Sequence, residues 1–179
     1  MSRRADAQRN YELLLAAAKS IFDEHGAGAP LDDVARRAGV GNATLYRHFP
    51  TRRELIVAVY ADEVTELCAT GEKLLAEVDP AAALFAWLRA FIAHVGTKGE
   101  LAVAIHDDER RSALFERWHE SMRATTAALL TRARRAGAVP TGLTPTDLLA
   151  LARGISIAAA DSHQVDRMLR LLRDGITQK

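Results

Sequence analysis

The sequence predicts an all-α fold, in which a three-helix head containing a helix-turn-helix joins a larger helical bundle. Three observations carry this. Apolar residues recur at helical spacing along nearly the whole chain, with no convincing alternating strand. The 5 Pro and 11 Gly are few and sit mostly between periodic segments. The stretch Val34–Phe49 reads as a helix, a glycine turn and a short second helix.

Taken in order, residues 8–25 form a first helix with Leu14, Ala17, Ala18, Ile21 and Phe22 as its apolar stripe, and Gly26 stops it. In the second helix Leu31, Val34, Ala35 and Ala38 fall at i, i+3, i+4 and i+7, and Gly39 follows where a helix ends in a left-handed residue. Val40, Leu45 and Phe49 give the third helix a narrow apolar side. With Leu45 inward, the 100° step per residue turns Ala43, Thr44, Tyr46 and Arg47 outward. Thr51 with Glu54 is a capping box opening a fourth helix that runs to about Val78, before Asp79-Pro80. A fifth helix covers about 81–95, Gly96 to Gly99 break the chain, and 100–106 form a short sixth. The seventh runs from about Arg111 to Ala136 and stops at Gly137. Thr144-Pro145-Thr146-Asp147 combines an N-cap, a proline at the first helical position and an acid at N3, so helix eight follows to about Ala160. Asp161 with Gln164 is a second capping box, opening helix nine over about 163–173.

The chain has 179 residues, 49% hydrophobic and 26% charged, enough for one packed domain or a small module on a larger one. The net charge of +1 says little by itself, because the charges are unevenly placed. Between Val34 and Arg53 lie five arginines (Arg36, Arg37, Arg47, Arg52, Arg53) and no acid, a local positive footprint suited to DNA. The single Cys68 excludes an internal disulfide and a cysteine-based zinc site. No apolar stretch follows the first charged residues as in a signal peptide, and no apolar run approaches membrane-spanning length, so a cytoplasmic protein with no membrane partner is expected.

Four motifs in order carry a resemblance: Phe22-Asp-Glu-His-Gly26, Val34-Ala-Arg-Arg-Ala-Gly-Val40, Thr44-Leu-Tyr-Arg-His-Phe49 and Arg52-Arg-Glu-Leu55. Over roughly residues 9–60 the chain closely resembles the TetR family of transcriptional regulators. Ala86-Trp-Leu-Arg-Ala-Phe91 resembles the subset with SbtR-like C-terminal domains. The resemblance implies about nine helices, with a DNA-binding head over 1–50 and a ligand-binding and dimerisation domain over 51–179. It also implies a homodimer joined through its last two helices, and repression of a promoter relieved by a small molecule. Carried over by position, Gly41, Asn42, Ala43 and Thr44 reach base edges or nearby phosphates, and Tyr46 and His48 contact phosphates. Arg52 stands where the family usually has a lysine. Pro30 and Gly41 replace the usual Thr and Ser caps of helices two and three, at a cost of up to about 0.5–2 kcal/mol each.

For Asn42, Ala43, Thr44 and Arg47 the competing reading is a solvated helix surface. Arg3, Arg4 and Arg9 are expected either as a flexible arm on DNA or as a disordered charged end. Trp87, Phe91 and His94 share one face of helix five, and Phe115, Trp118, Met122 and Thr125 one face of helix seven. Facing each other they would line a pocket for a mostly apolar effector; the alternative is plain core packing. Cys68 is a pocket residue, a redox sensor or a small buried hydrophobe. Leu148, Leu151, Ala152, Ile155 and Ala159 form one stripe of the partner surface, with Gly154 and Ala158 allowing close approach. Val165, Met168, Leu169 and Leu172 form the other; the alternative is that both stripes pack within one subunit. His106-Asp107-Asp108-Glu109 is contiguous, so on a helix it spreads over all faces and converges poorly on a metal. No cofactor is expected. An enzyme using His94, His106 or Glu109 as acid or base would need a nucleophile–base motif or phosphate loop that does not occur here. An activator, or a regulator without an effector, is an alternative within the DNA-binding regulator reading.

Overall fold

The computed structural model describes residues 3–105 and 109–176, with side chains described for 4–96 and 113–175. Arg3 and the His106–Glu109 cluster therefore lie, as side chains, outside the described residues. The described residues form eight helices and no strand. They are α1 (Arg3–His25), α2 (Leu31–Ala38), α3 (Asn42–His48), α4 (Arg52–Leu74), α5 (Pro80–Ile105), α6 (Glu109–Arg135), α7 (Pro145–Ala158) and α8 (Ser162–Ile176). None is long and apolar enough to cross a membrane. The Cα positions divide into two compact units, Met1–Asp62 with Lys98–Arg111, and Glu63–Thr97 with Ser112–Lys179.

In the first unit α1, α2 and α3 pack on one another. The α1 stripe of Leu14, Ala17, Ala18, Ile21 and Phe22 is buried, together with Leu31, Val34 and Ala35 of α2 and Leu45 and Phe49 at α3. Gly39 ends α2 at φ 69°. There its N–H reaches Arg36 O at 3.2 Å, and the Val40 N–H reaches Ala35 O at 3.1 Å. A side chain at that φ would be strained, so glycine sets the turn between the two helices. Neither Pro30 nor Gly41 makes a side-chain cap, as their chemistry requires. Helix α1 starts at Arg3, five residues before the expected start at 8. Residues 4–9 are exposed, so no apolar stripe marks them, yet they hold no Gly or Pro and Asp6 suits a helix N-terminus.

In the second unit Trp87 is fully buried, and its Nε1 donates to Leu67 O at 3.3 Å. Phe91 stacks on it with ring centroids 5.7 Å apart and planes at 21°. Gly71 of α4 lies against this ring. A Cβ there would sit 2.7 Å from Trp87 Nε1 and closer still to Thr125 Cγ2, so α4, α5 and α6 meet at a point that admits only a hydrogen atom. Met122, Thr126, Leu129 and Leu130 of α6 and Leu148, Ala152 and Ile155 of α7 complete this core, and α7 packs on α8.

Two expectations for this unit are corrected. Helix α4 ends at Leu74 rather than Val78. There the Leu75 N–H is shared between Gly71 O and Glu72 O, and the Ala76 and Glu77 N–H groups tighten to i−3 carbonyls. Val78 is 94% exposed and has nothing to bury it in a continued helix. The break at Gly96–Gly99 is absent: α5 runs unbroken to Ile105, which leaves eight helices instead of about nine. Gly96 is a notch in a helix. A Cβ on it would lie 3.3 Å from Ser156 Oγ, whose hydroxyl donates to Ile92 O at 3.2 Å. The capping box at Thr51/Glu54 forms as read, and the N-cap and N3 acid read at Thr144 and Asp147 close into a full capping box. Asp161 accepts from Gln164 N, while the Gln164 side chain accepts from Ala160 N, one residue earlier than a capping box requires.

Gly71→Ala is expected to destabilise the protein by about 1–3 kcal/mol, the range of core overpacking, even though alanine is the better helix former. Urea unfolding of the two proteins measures it, and an unchanged or raised midpoint would mean that Thr125 gives way.

Candidate nucleic-acid interface and effector hollow

Leu45 is 1% exposed, so the short α3 is anchored by one side chain and its opposite face is turned outward. Asn42, Ala43, Tyr46 and Arg47 are exposed and Thr44 and His48 half-buried. Arg47 donates to the Thr44 hydroxyl at 3.2 Å, and Asn42 to Asp32 Oδ1 at 2.9 Å. His48 meets Tyr11 edge-on at 6.2 Å, and Tyr11 lies 5.2 Å from Phe49. Tyr11 had gone unremarked, although it stands three residues before Leu14 on the α1 stripe. An outward methyl, phenol, amide and guanidinium can meet thymine methyls, phosphates and purine edges.

The arginine footprint is smaller than the count of five suggests. Arg36 pairs with Asp33 at 2.6 Å. Arg37 makes a two-pronged contact with Glu24, at 2.5 and 2.8 Å, and a third with the Ser20 hydroxyl at 2.7 Å. These bonds hold the Glu24 carboxyl down at about 2 and raise Arg37. Arg52 turns to the chain itself, donating to Ala27 O at 3.0 Å and Ala29 O at 2.5 Å, so it pins the loop between α1 and α2. Arg4 and Arg9 are exposed on helix α1, where either a flexible arm or a disordered charged end had been the expectation.

A hollow of about 270 Å³ opens between α4 and α6, lined by Val64, Thr65, Cys68, Ala69, Glu72, Trp118 and Ser121. It gathers Cys68 and Trp118 from the expected pocket set. Trp87, Phe91, His94 and Met122 are buried outside its lining. Thr125 is half-buried against Gly71, and half-buried Phe115 lies 4.1 Å from the His119 ring. Burial pushes the Cys68 thiol up, and the Glu72 charge adds to the rise while Thr125 opposes it, so sulfur here is a thiol rather than a reactive thiolate. Sequence reading missed Thr65, Glu72 and Ser121. The signal was present, since Val64, Thr65, Cys68, Ala69 and Glu72 fall at i, i+1, i+4, i+5 and i+8 of α4.

Of the expected partner surface, Leu148, Ala152, Ile155 and Leu169 are buried within the chain itself. Ala159, Val165, Met168 and Leu172 are half-buried. The large apolar residues turned outward on α7 and α8, among the described residues, are Leu151, Ile157 and Leu171, at 45%, 75% and 68% exposed.

The model for bacterial regulatory proteins of the tetR family matches residues 14–59, and that for the C-terminal domain of SbtR-like transcriptional regulators matches 79–178. The chain is 36% identical to a TetR transcriptional regulator from Streptomyces coelicolor, covering 94% of this chain and 99% of that one with a TM-score of 0.78. It is 33% identical to a TetR regulatory protein from Mycobacterium vanbaalenii, covering 99% and 100% with a TM-score of 0.79. Over 60 residues it is 38% identical to the HTH-type transcriptional activator FasR of Mycolicibacterium smegmatis, 34% of this chain and 27% of that protein. The matches span 40% or less of the length of two curated relatives, the HTH-type transcriptional regulator SAR0097 of Staphylococcus aureus and FasR. The chain belongs to the TetR family of transcriptional regulators, which are DNA-binding transcription factors and not enzymes.

Two outcomes follow from the head. Glu24 ordinarily titrates near 4.5 and is held at about 2 here, so its pairing stabilises the fold above 4.5 and is lost as the pH falls towards 2. Thermal midpoints of the wild type and Glu24→Gln are expected to differ near neutral pH and to converge on acidification. Arg52→Ala is expected to lower stability by about 1–3 kcal/mol, because two carbonyls lose a charged donor. Denaturant unfolding checks this, and an unchanged midpoint would place the guanidinium in solvent.

Proposed function

We propose that the protein acts in the cytoplasm as a homodimer that binds an inverted-repeat operator and represses the adjacent promoter until a small, mostly apolar effector releases it. The observation that carries this reading is the outward face of α3. With Leu45 inward, Ala43, Tyr46 and Arg47 are presented together, and among the described residues Arg47 has no acidic partner. In this reading Gly41 lets the backbone approach a phosphate, Asn42, Ala43, Thr44 and Arg47 meet base edges, and Tyr46 and His48 hold phosphates. Arg52 supports the head through the α1–α2 loop and adds positive charge at the start of α4.

A single short reading helix makes few contacts, so two copies on a palindrome are required for tight specific binding. The outward Leu151, Ile157 and Leu171, with exposed Gly154 and Ala158, supply an apolar surface for a second copy. The effector acts by population shift, favouring a spacing of the two reading helices that misfits the operator. Helix α4 is the natural lever, since one continuous helix carries Arg52 at its start and Cys68 and Glu72 further along. The name of the FasR relative favours a second reading, in which the bound dimer activates.

Selection of sites from random double-stranded DNA by the purified protein tests the reading. Enrichment of an inverted repeat is expected, and no enrichment at low salt from folded protein would overturn it. On the selected site Tyr46→Ala is expected to weaken binding to all sequences alike, with little loss of fold and an unchanged salt dependence, because the phenol carries no charge. Unchanged affinity in the folded variant would remove Tyr46 from the interface.

A further inference from the structure

We propose that the hollow between α4 and α6 binds a protonated amine carrying a small apolar body. The inference rests on reading this hollow as the effector site, and it names the class of molecule that would fill it. The seven lining side chains include one carboxylate, Glu72, and no cation. No described residue pairs with that carboxylate; exposed Glu77 and Glu116 also form no ion pair among the described residues, but of these only Glu72 lines the hollow. An anionic ligand would therefore meet uncompensated negative charge, whereas a cationic one would gain a partner in a carboxylate that stays in contact with water.

Ser121, Cys68 and Trp118 point the same way. The Ser121 hydroxyl donates to Arg117 O of its own helix at 3.0 Å, so only its lone pairs are left for a guest. Cys68 stays a neutral thiol and adds no second charge to the hollow. The half-buried Trp118 offers an indole, the side chain whose face attracts cations most strongly. A carboxylate, an accepting hydroxyl and an indole complement an N–H donor that carries positive charge. Val64, Ala69 and the Trp118 ring leave room for a modest hydrocarbon body. At about 270 Å³ the hollow is smaller than most drug-sized sites, so the guest is small. Glu72 and Val64 lie eight residues apart on α4, about 12 Å along the helix axis at its standard rise, so head and body can occupy opposite ends.

The test is calorimetric titration of the full chain, without DNA, with primary amines from butylamine to phenethylamine and with carboxylates and alcohols of the same bodies. At least one amine is expected to bind, the matching carboxylate and alcohol to bind more weakly, and Glu72→Gln to lose about tenfold or more for the amine. Glu72 is exposed, so that substitution leaves the core untouched. Trp118→Leu is expected to weaken the amine more than the alcohol. Equal binding of carboxylate and amine, no effect of Glu72→Gln, or no binding across the amine series would each overturn the inference. Adding the bound amine to a complex of the protein with its selected DNA site is a separate measurement. Amine binding without release of DNA would uphold the inference and count against the effector part of the regulatory reading.

Discussion

The burial of Leu45 is the contact on which the head depends. Helix α3 has seven residues, too few to be stable alone, and Gly41 gives it no side-chain cap. It exists because Leu45 and Phe49 are held in the core formed with α1 and α2. That single inward direction settles which side chains are left outside. Tyr46 and Arg47 are on the surface because the residue before them is not. The turn at Gly39 fixes where the short helix begins, and Arg52 fixes the loop on the far side of α2.

The second unit is governed by a different constraint, the space available at Gly71. Trp87 fills the volume that a side chain at 71 would take and gives its indole N–H to the Leu67 carbonyl of α4, the helix that carries Gly71. A large aromatic residue opposite a glycine lets two helices approach closely with little void, which is how native interiors reach crystal-like density. The hollow lined by Cys68, Ala69 and Glu72 lies on the stretch of α4 next to this crossing. Core and cavity thus share one helix segment, with Gly71 inside and Glu72 exposed.

What could be read from the sequence was local. Caps and stops were legible because they are made by neighbours, as Thr144 with Asp147 and the left-handed Gly39 show. The α1 and α2 stripes were legible because one period repeats over several turns. The continuation of α5 through Gly96 was not, because the reason for that glycine is Ser156, far along the chain. A stop glycine and a notch glycine look alike until the partner is known. The arginine footprint was overcounted for the same reason. Arg37 is claimed by Glu24, which lies 13 residues before it and outside the window that held no acid. In the bundle, helical spacing placed Trp87 and Phe91 on a common face, but it could not say whether that face met solvent or packed side chains.

The two tryptophans occupy opposite environments. Trp87 is wholly enclosed and hydrogen-bonded to a backbone carbonyl, whereas Trp118 is half-buried on the wall of the hollow. An enclosed indole emits towards the blue and a partly wetted one towards the red. The chain therefore carries a natural optical pair, one ring reporting the integrity of the interior and the other the occupancy of the cavity. Collecting emission at longer wavelengths would favour the second over the first, so a guest could be followed in the unlabelled protein while the core signal served as an internal reference.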